Sequence, residues 1–180
     1  VLFRSGFTPS TMVNDAPLSI GSLETGSQAW EPKNYDGKYD GMMRLRTALA
    51  KSKNLVSVRI IRAIGPSYAQ EYIQRFGFEP EKHPPYLTMA LGAGSVTPLQ
   101  MASAYSVFAN GGYRVDPFLI NKMADSKGNI LFEAKPTVVG DGAPRVLDAR
   151  TAFVMDSMLQ EVTKTGTAAS ADRKSTRLNS

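Results

Sequence analysis

Residues 45–77 carry apolar side chains at helical spacing in three stretches, with breaks after Ala50 and at the Gly65-Pro66 pair. The first apolar stripe, which Gly65-Pro66 ends, consists of Val56, Ile60 and Ile64. The second stripe, which Gly77 ends, consists of Ala69, Tyr72, Ile73 and Phe76. A shorter helical segment, Leu45 to Ala50, precedes both. This pattern predicts three short helices that pack their apolar faces on one shared core.

A further helix is predicted to begin at Thr97. Pro98 suits the first helical position, and the side chain of Gln100 can reach back to the amide of Thr97, which completes a capping box. We expect this helix to run to Ala109 and to stop at Asn110-Gly111-Gly112. Its buried face is predicted to consist of Met101, Ala102, Tyr105 and Phe108.

Two more elements and one long loop complete the pattern. Residues 118–123 and 130–132 flank a short glycine-containing segment and predict a β-hairpin. Asp148 caps a last helix, whose apolar face is predicted to carry Ala152, Met155, Leu159 and Val162. Residues 6–41 are rich in turn-forming residues and predict a surface loop, anchored by Trp30 and Tyr35. Five helices and one hairpin indicate part of an α+β domain.

The composition restricts the chemistry. The chain has no cysteine, and its only histidine, His83, lies in a proline-containing loop, where we expect it to be solvated and to have no role. Thiol catalysis, histidine-based triads and most transition-metal sites are thereby excluded, and we predict no cofactor and no metal. No run of about 18 apolar residues is present, so the sequence predicts no transmembrane helix.

The positive charge lies mainly at the two ends. Residues 1–5 and 172–180 resemble in-frame translations of a sequencing-adapter oligonucleotide, and we interpret both as artefacts rather than as parts of the fold. They hold four basic residues and one acidic residue, so +3 of the formal charge of +5 belongs to them and +2 to residues 6–171. We therefore predict one partial domain over residues 6–171 and no nucleic-acid binding.

The tripeptide Ser52-Lys53-Asn54 lies between two predicted helices and is the first candidate for a catalytic site. A hydroxyl and a carboxamide that face one cleft can relay a proton and hold a substrate amide. The structural alternative is that Ser52 or Asn54 caps the helix that follows. The tripeptide alone favours this alternative, because so short a motif has many accidental matches.

Two other short motifs favour a structural interpretation. Lys164-Thr165-Gly166 is a signature of one class of serine enzymes when it lies on a strand. Here it directly follows a helix, and the alanine-rich residues 168–171 lack strand alternation, so we interpret it as a helix end. The glycines of residues 91–95 precede a helix, but no Lys-Ser/Thr follows them, so we do not predict nucleotide binding.

Four motifs in order resemble the transpeptidase domain of class A penicillin-binding proteins, closest to the Gram-negative type 1A group. The motifs lie in residues 30–36, 45–54, 90–102 and 105–112. Each motif is weak by itself, but the four occur in register. The resemblance covers about residues 6–171 and implies a mostly helical part of an α+β domain of the penicillin-binding protein and serine β-lactamase type.

The resemblance implies a serine D,D-transpeptidase that cross-links peptidoglycan stem peptides through an acyl-enzyme and is acylated by β-lactams. Ser52 and Asn54 match the family's Ser-x-Asn motif, which implies that Ser52 relays a proton and that Asn54 holds the acyl amide. No serine in the chain has a lysine three residues later, so we expect the nucleophile to precede Gly6. The strand Lys-Thr-Gly is expected beyond the last helix, after a Gly-Thr-Ala stretch.

The parent protein is then expected at the periplasmic face of the bacterial inner membrane, held by an anchor outside this chain, while the chain alone is expected to be inactive. Two alternatives stay open. One is a non-catalytic periplasmic module that binds glycan or peptide through the aromatic residues Trp30, Tyr35 and Tyr39. The other is a hydrolase of the same fold, a D,D-carboxypeptidase or β-lactamase relative, in which water accepts the acyl group.

Overall fold

The computed structural model describes residues 5–171, so residues 1–4 and 172–180, which include most of the predicted adapter-derived segments, lie outside the described residues. Its α-helices are α1 (Ser22–Thr25), α2 (Leu45–Ala50), α3 (Asn54–Ile64), α4 (Pro66–Ile73), α5 (Pro98–Ala109) and α6 (Ala149–Lys164). Its strands are β1 (Met12–Asp15), β2 (Gly41–Arg44), β3 (Lys122–Ala124) and β4 (Ile130–Glu133). Short 3-10 helices cover Gln74–Phe76, Pro80–Lys82 and Leu87–Leu91. None of the described helices is both long enough and apolar enough to cross a membrane.

Two small antiparallel sheets accompany the helices, which confirms the α+β class. The pairing of β3 with β4 is the predicted hairpin, although its first strand begins at Lys122 and not at residue 118. The pairing of β1 with β2 was not predicted, because residues 6–41 were interpreted as loop throughout. In that sheet Met12 lies opposite Arg44 and Asp15 opposite Gly41. A four-residue strand whose partner lies about thirty residues away leaves too little alternation in the sequence to be recognised.

The largest part of the core joins α2, α3, α6 and β2. Its buried members are Met43, Leu45, Ala48, Val56, Ile60 and Met158. A second cluster comprises Ile20, Val58 and Leu87, and the ring of Trp30 packs against it. Trp30 is therefore the anchor that the sequence predicted. The side chain of Tyr35 is fully exposed, so the prediction that it anchors the loop was wrong.

The buried face of α5 also differs from the prediction. The capping box is present, since Gln100 N donates to Thr97 Oγ1 at 3.1 Å and Thr97 N donates to Gln100 Oε1 at 2.9 Å. The helix nevertheless buries Ala104 and Val107, whereas the predicted core residues Met101, Ala102 and Tyr105 are exposed and Phe108 is half-buried. Apolar residues occur almost all round this helix, so periodicity could not select the face.

The last helix is oriented close to the prediction. Asp148 Oδ1 accepts from Arg150 N at 3.0 Å, which caps α6 as expected. Ala152 is buried and Met155 packs on the main core, but Met158 is the second fully buried residue, while Leu159 and Val162 are only half-buried.

His83 is buried rather than solvated, which corrects the expectation for a loop histidine. Its ring lies edge-on to Phe78 with 5.4 Å between centroids, and 8% of the residue is exposed. A β-carbon at Gly94 would collide with the imidazole, so the glycine permits a close approach to this ring. That contact supports the structural interpretation of residues 91–95.

Candidate active site

A tight turn joins α2 to α3 and carries the candidate site. Ser52 N donates to the carbonyl of Leu49 at 3.0 Å, and Lys53 N donates to the carbonyl of Ala48 at 3.0 Å. These two backbone bonds form a Schellman motif, which satisfies carbonyl groups at the end of α2. Its central residue is in the left-handed conformation, with a φ of +54° at Ser52.

Ser52 occupies the position where helices normally carry glycine. An L-residue in the left-handed region costs roughly 1–2 kcal/mol relative to the right-handed one. The side chain of Ser52 is exposed, and its hydroxyl makes no hydrogen bond with any described residue. The fold therefore holds a strained serine and presents its hydroxyl outward, a combination found at functional sites.

Asn54 is the first residue of α3, and its carboxamide faces the loop before β2. Asn54 Nδ2 donates to the carbonyl of Lys33 at 2.9 Å, while Asn54 Oδ1 has no partner among the described residues. The N-cap of α3 is Lys53, whose side chain makes no capping hydrogen bond. The alternative that Ser52 or Asn54 caps this helix was therefore wrong.

Ser52 and Asn54 line the same open pocket of about 510 Å³. Its other lining residues are Asn34, Tyr35, Asp36, Lys51, Lys53 and Thr167. The pocket thus brings together the turn after α2, the loop before β2 and the segment after α6. The loop and the segment after α6 are remote from the turn in sequence, so the motif alone could not indicate them.

The segment after α6 packs against the end of α2. Lys164 is the last residue of α6, so Lys164-Thr165-Gly166 ends a helix and does not lie on a strand. Thr167 N donates to the carbonyl of Ala50 at 3.1 Å. A β-carbon at Gly166 would collide with the same carbonyl oxygen. Gly166 therefore allows the segment after α6 to pack closely against α2, whereas the sequence predicted that this glycine ends α6.

Lys53 is the buried member of the tripeptide, with 4% of its side chain exposed. Its Nζ lies 3.3 Å from Asp15 Oδ2, 3.3 Å from Asp40 Oδ2 and 3.5 Å from Asp36 Oδ2. Burial lowers the pKa of Lys53, but the hydrogen bonds to Asp40 and Asp15 outweigh this, and the net pKa is raised. The lysine is therefore charged at neutral pH and acts as an internal cation for three carboxylates.

Two of these carboxylates, those of Asp36 and Asp40, have lowered pKa values beside this cation. A hydrogen bond from the backbone of Lys38 is the main cause that lowers the pKa of Asp36, and Lys53 lowers it further. Hydrogen bonds from Lys51 and then from Lys53 lower the pKa of Asp40. Asp15 is fully buried and accepts from Asn34 Nδ2 at 2.7 Å and from Asp40 N at 3.0 Å.

Residues 2–178 match the model of the penicillin binding protein transpeptidase domain. The chain belongs to this transpeptidase family. Penicillin-binding protein 1A of Neisseria flavescens is 51% identical over 166 residues, which are 92% of this chain and 21% of the relative. The chain thus spans about a fifth of the length of that curated relative.

Solved structures of penicillin-binding proteins share the fold. The crystal structure of penicillin-binding protein 1A from Haemophilus influenzae aligns with a TM-score of 0.81 at 34% identity, over 92% of this chain and 29% of that one. Penicillin-binding protein A from Mycobacterium tuberculosis, described as an imipenem acyl-enzyme complex, aligns at 0.73 with 18% identity, over 91% of this chain and 41% of that one. At that identity the second likeness shows the fold alone.

Sequence reasoning assigned only Ser52 and Asn54 to the site and missed its other residues, among them Asp15, Asn34, Lys53 and Thr167. Lys53 stood inside the motif, but lysine is almost never fully buried unless it is paired, and its partners could not be assigned without the strand register. The Gly-Thr-Ala stretch at residues 166–168 was expected from the resemblance, but its contact with Ala50 was not.

Proposed function

We propose that this chain is part of a longer serine D,D-transpeptidase that cross-links peptidoglycan stem peptides and is acylated by β-lactams. The observation that carries the proposal is the pocket in which a strained Ser52 and the carboxamide of Asn54 lie together, in a chain of the transpeptidase family. Substrate peptides and β-lactams present an acyl amide next to the reactive carbonyl, which suits a hydroxyl and a carboxamide on one wall.

In the proposed reaction a serine hydroxyl attacks the carbonyl of the stem peptide and the terminal D-residue leaves as an amine. Ser52 passes the proton from the attacking hydroxyl toward that leaving amine. Asn54 Oδ1, which lacks a protein partner among the described residues, accepts from the acyl amide of the substrate and fixes its orientation. The amine of a second stem peptide then attacks the ester and releases the serine.

The nucleophile is proposed to lie outside these 180 residues, because no serine among them has a lysine three residues later. The strand Lys-Thr-Gly is proposed to lie elsewhere as well, since Lys164 ends a helix. The chain by itself is therefore proposed to be inactive. The longer protein is placed at the periplasmic face of the bacterial inner membrane, with its anchor outside this chain.

Acylation of the longer protein by a fluorescent penicillin tests the proposal. Asn54→Ala should slow acylation by roughly a hundredfold, since small misplacements of a substrate can cost that much. Asn14→Ala is the matched control, because Asn14 is exposed on β1 and makes no side-chain hydrogen bond with the described residues. Equal rates for Asn54→Ala and wild type, with both proteins folded, would remove Asn54 from the site. A wild-type protein that penicillin does not label would contradict the function itself.

No observation favours either alternative, the non-catalytic binding module or the hydrolase of the same fold. A binding surface made of Trp30, Tyr35 and Tyr39 is weakened because Trp30 packs on the core. A hydrolase of the same fold uses the same residues for acylation and differs only in deacylation. Product analysis with a stem peptide and an acceptor amine separates these two activities, since a transferase yields the cross-linked peptide and a hydrolase yields the shortened one.

A further inference from the structure

The middle residue of the Ser-x-Asn tripeptide has no proposed contact with substrate, yet it is the most deeply buried of the three. Only 4% of the Lys53 side chain is exposed, whereas Ser52 is exposed and Asn54 is half-buried. We infer that Lys53 is a positioning residue. Its ion pairs with Asp15, Asp36 and Asp40 hold the turn in the conformation that presents Ser52 and Asn54 to the pocket. This inference deepens the proposed function and rests on it.

The partners of Lys53 come from two segments that the β1–β2 sheet brings together. The register pairs Asp15 with Gly41, which places the end of β1 beside the start of β2. Asp40 N then donates to Asp15 Oδ2 at 3.0 Å, so Asp40 lies beside Asp15 at this end of the sheet. Lys53 Nζ lies 3.3 Å from an oxygen of each. The ion pairs of Lys53 therefore link the turn after α2 to the end of β1 and to the residue that precedes β2.

A second set of contacts holds Leu55, the residue that follows Asn54. Asn34 Nδ2 donates to Asp15 Oδ1 at 2.7 Å, and Asn34 Oδ1 accepts from the backbone N–H of Leu55 at 3.4 Å. Asp15 is thus connected to residue 53 by an ion pair and to residue 55 through one asparagine. Asn54 lies between two positions that are tied to the same carboxylate, so its backbone has little freedom to shift.

The charges make this arrangement sensitive to the loss of one member. Asp15 is fully buried, and a buried carboxylate without its cation is strongly unfavourable. Without Lys53 we expect the turn to move until water reaches Asp15. The pKa of Lys53 is raised and the pKa values of Asp36 and Asp40 are lowered, so these three residues stay ionised at neutral pH. This supports a structural cation rather than a proton donor.

The test uses the longer protein and four variants, Lys53→Met, Lys53→Arg, Asp40→Asn and Arg59→Met. Arg59 is the matched control, because it is a part-buried cation on α3 that bonds the carbonyl oxygens of Ala16 and Pro17 and does not touch the turn. Acylation by a fluorescent penicillin is measured well below the melting temperature of each variant. Hydrogen exchange is measured in parallel on peptides that cover residues 48–56 and residues 122–133.

We expect Lys53→Met to slow acylation about tenfold to a hundredfold, as for a misplaced catalytic group. Exchange should rise at residues 52–55 and stay unchanged in the β3–β4 hairpin. Lys53→Arg, which retains the charge, should recover most of the rate, and Arg59→Met should acylate normally. If Lys53→Met does not fold, Asp40→Asn should show the same pattern more weakly, since Asp40 is a partly exposed partner.

Two results would overturn the inference. One is wild-type acylation and wild-type exchange in Lys53→Met, which would show that the ion pairs position nothing. The other is an equal loss of rate in Arg59→Met, which would reduce the effect to general stability. If penicillin does not label the wild type, the proposed function fails, and the exchange measurement alone then decides whether Lys53 holds the turn.

Discussion

Gly166 lies against the carbonyl oxygen of Ala50 so closely that no β-carbon could be placed between them. The neighbouring Thr167 donates its N–H to the same oxygen at 3.1 Å. Ala50 is the last residue of α2, two positions before Ser52, so this contact joins the end of α6 to the candidate site. The contact is possible only because residue 166 has no side chain.

Gly166→Ala should therefore destabilise the domain and shift the turn that carries Ser52. A β-carbon forced against packed backbone costs about 1–3 kcal/mol. Urea unfolding of the longer protein should show this loss, and penicillin acylation should slow as well. Gly21→Ala is the matched control, because open space surrounds Gly21 and its φ is −70°. An equal stability for Gly166→Ala and Gly21→Ala would show that the segment after α6 can move aside at little cost.

Ser52→Gly should stabilise the fold while it removes activity. Relief of the left-handed strain is worth roughly 1–2 kcal/mol, and the extra freedom of glycine in the unfolded chain takes back about 0.5–1 kcal/mol. We expect a net gain of up to about 1.5 kcal/mol in the free energy of unfolding. Ser52→Ala keeps the strain, so its stability should match that of the wild type.

Both Ser52 variants lack the hydroxyl that is proposed to relay a proton. Their acylation by penicillin should fall by about 100- to 10,000-fold, the usual contribution of a positioned acid or base. A Ser52→Ala protein that acylates at the wild-type rate would contradict the assigned role. A Ser52→Gly protein that is less stable than the wild type would contradict the interpretation of the strain.

Lys164→Ala in the longer protein should leave acylation unchanged. Lys164 is an exposed residue at the end of α6, where a positive charge contributes roughly 0.3–1 kcal/mol through the helix dipole. A lysine that contacts the reacting centre would instead contribute about a hundred- to a thousandfold in rate. Penicillin kinetics and a melting curve separate the two roles. A hundredfold loss of rate in a folded variant would assign Lys164 to the active site.

The ion pairs of Lys53 with Asp36 and Asp40 predict how the stability of the domain changes at low pH. The pKa values of Asp36 and Asp40 are lowered in the fold, so their contribution is fully present above their unfolded pKa of about 3.9. It is lost as the pH falls through the lower folded values. Asp40→Asn removes one of these groups and should make the melting temperature fall less steeply below about pH 4. An equally steep fall in melting temperature for the variant and the wild type below about pH 4 would contradict this.

The same linkage has the opposite sign for Lys53. Its pKa is raised in the fold, so its contribution is fully present below the unfolded pKa of about 10.4 and is lost as the pH rises through the folded value. Lys53→Met should therefore weaken the decline in melting temperature above about pH 10. A decline as steep as that of the wild type would mean that other groups cause it.

The 180-residue chain itself should form no covalent adduct with a β-lactam. The acyl-enzyme needs an activated serine hydroxyl, and the chain lacks the Ser-x-x-Lys motif. Incubation with a fluorescent penicillin, followed by a denaturing gel and intact-mass measurement, checks this. A stoichiometric, heat-stable adduct would show that another serine of the chain can act as nucleophile.

Local sequence signals predicted most of the helices. The capping box at Thr97, the Gly65-Pro66 break and the Asp148 cap act within one helical turn, so their effects are readable without any tertiary contact. The family motif also selected Ser52 and Asn54 as candidates, because residues at a fixed short spacing on a turn stay together in every fold that preserves the turn. The roles of both residues remain predictions.

Tertiary structure alone decided which side chains surround that motif. The β1–β2 register brings Asp15 and Asp40 to Lys53, and the packing of α6 brings Thr167 to the pocket that Ser52 lines. The buried face of α5 was likewise set by its neighbours, since its sequence is apolar almost all round. In each case the deciding contact joins segments far apart in the chain. Its free energy depends on burial and on a cation–carboxylate distance, neither of which exists until the segments pack.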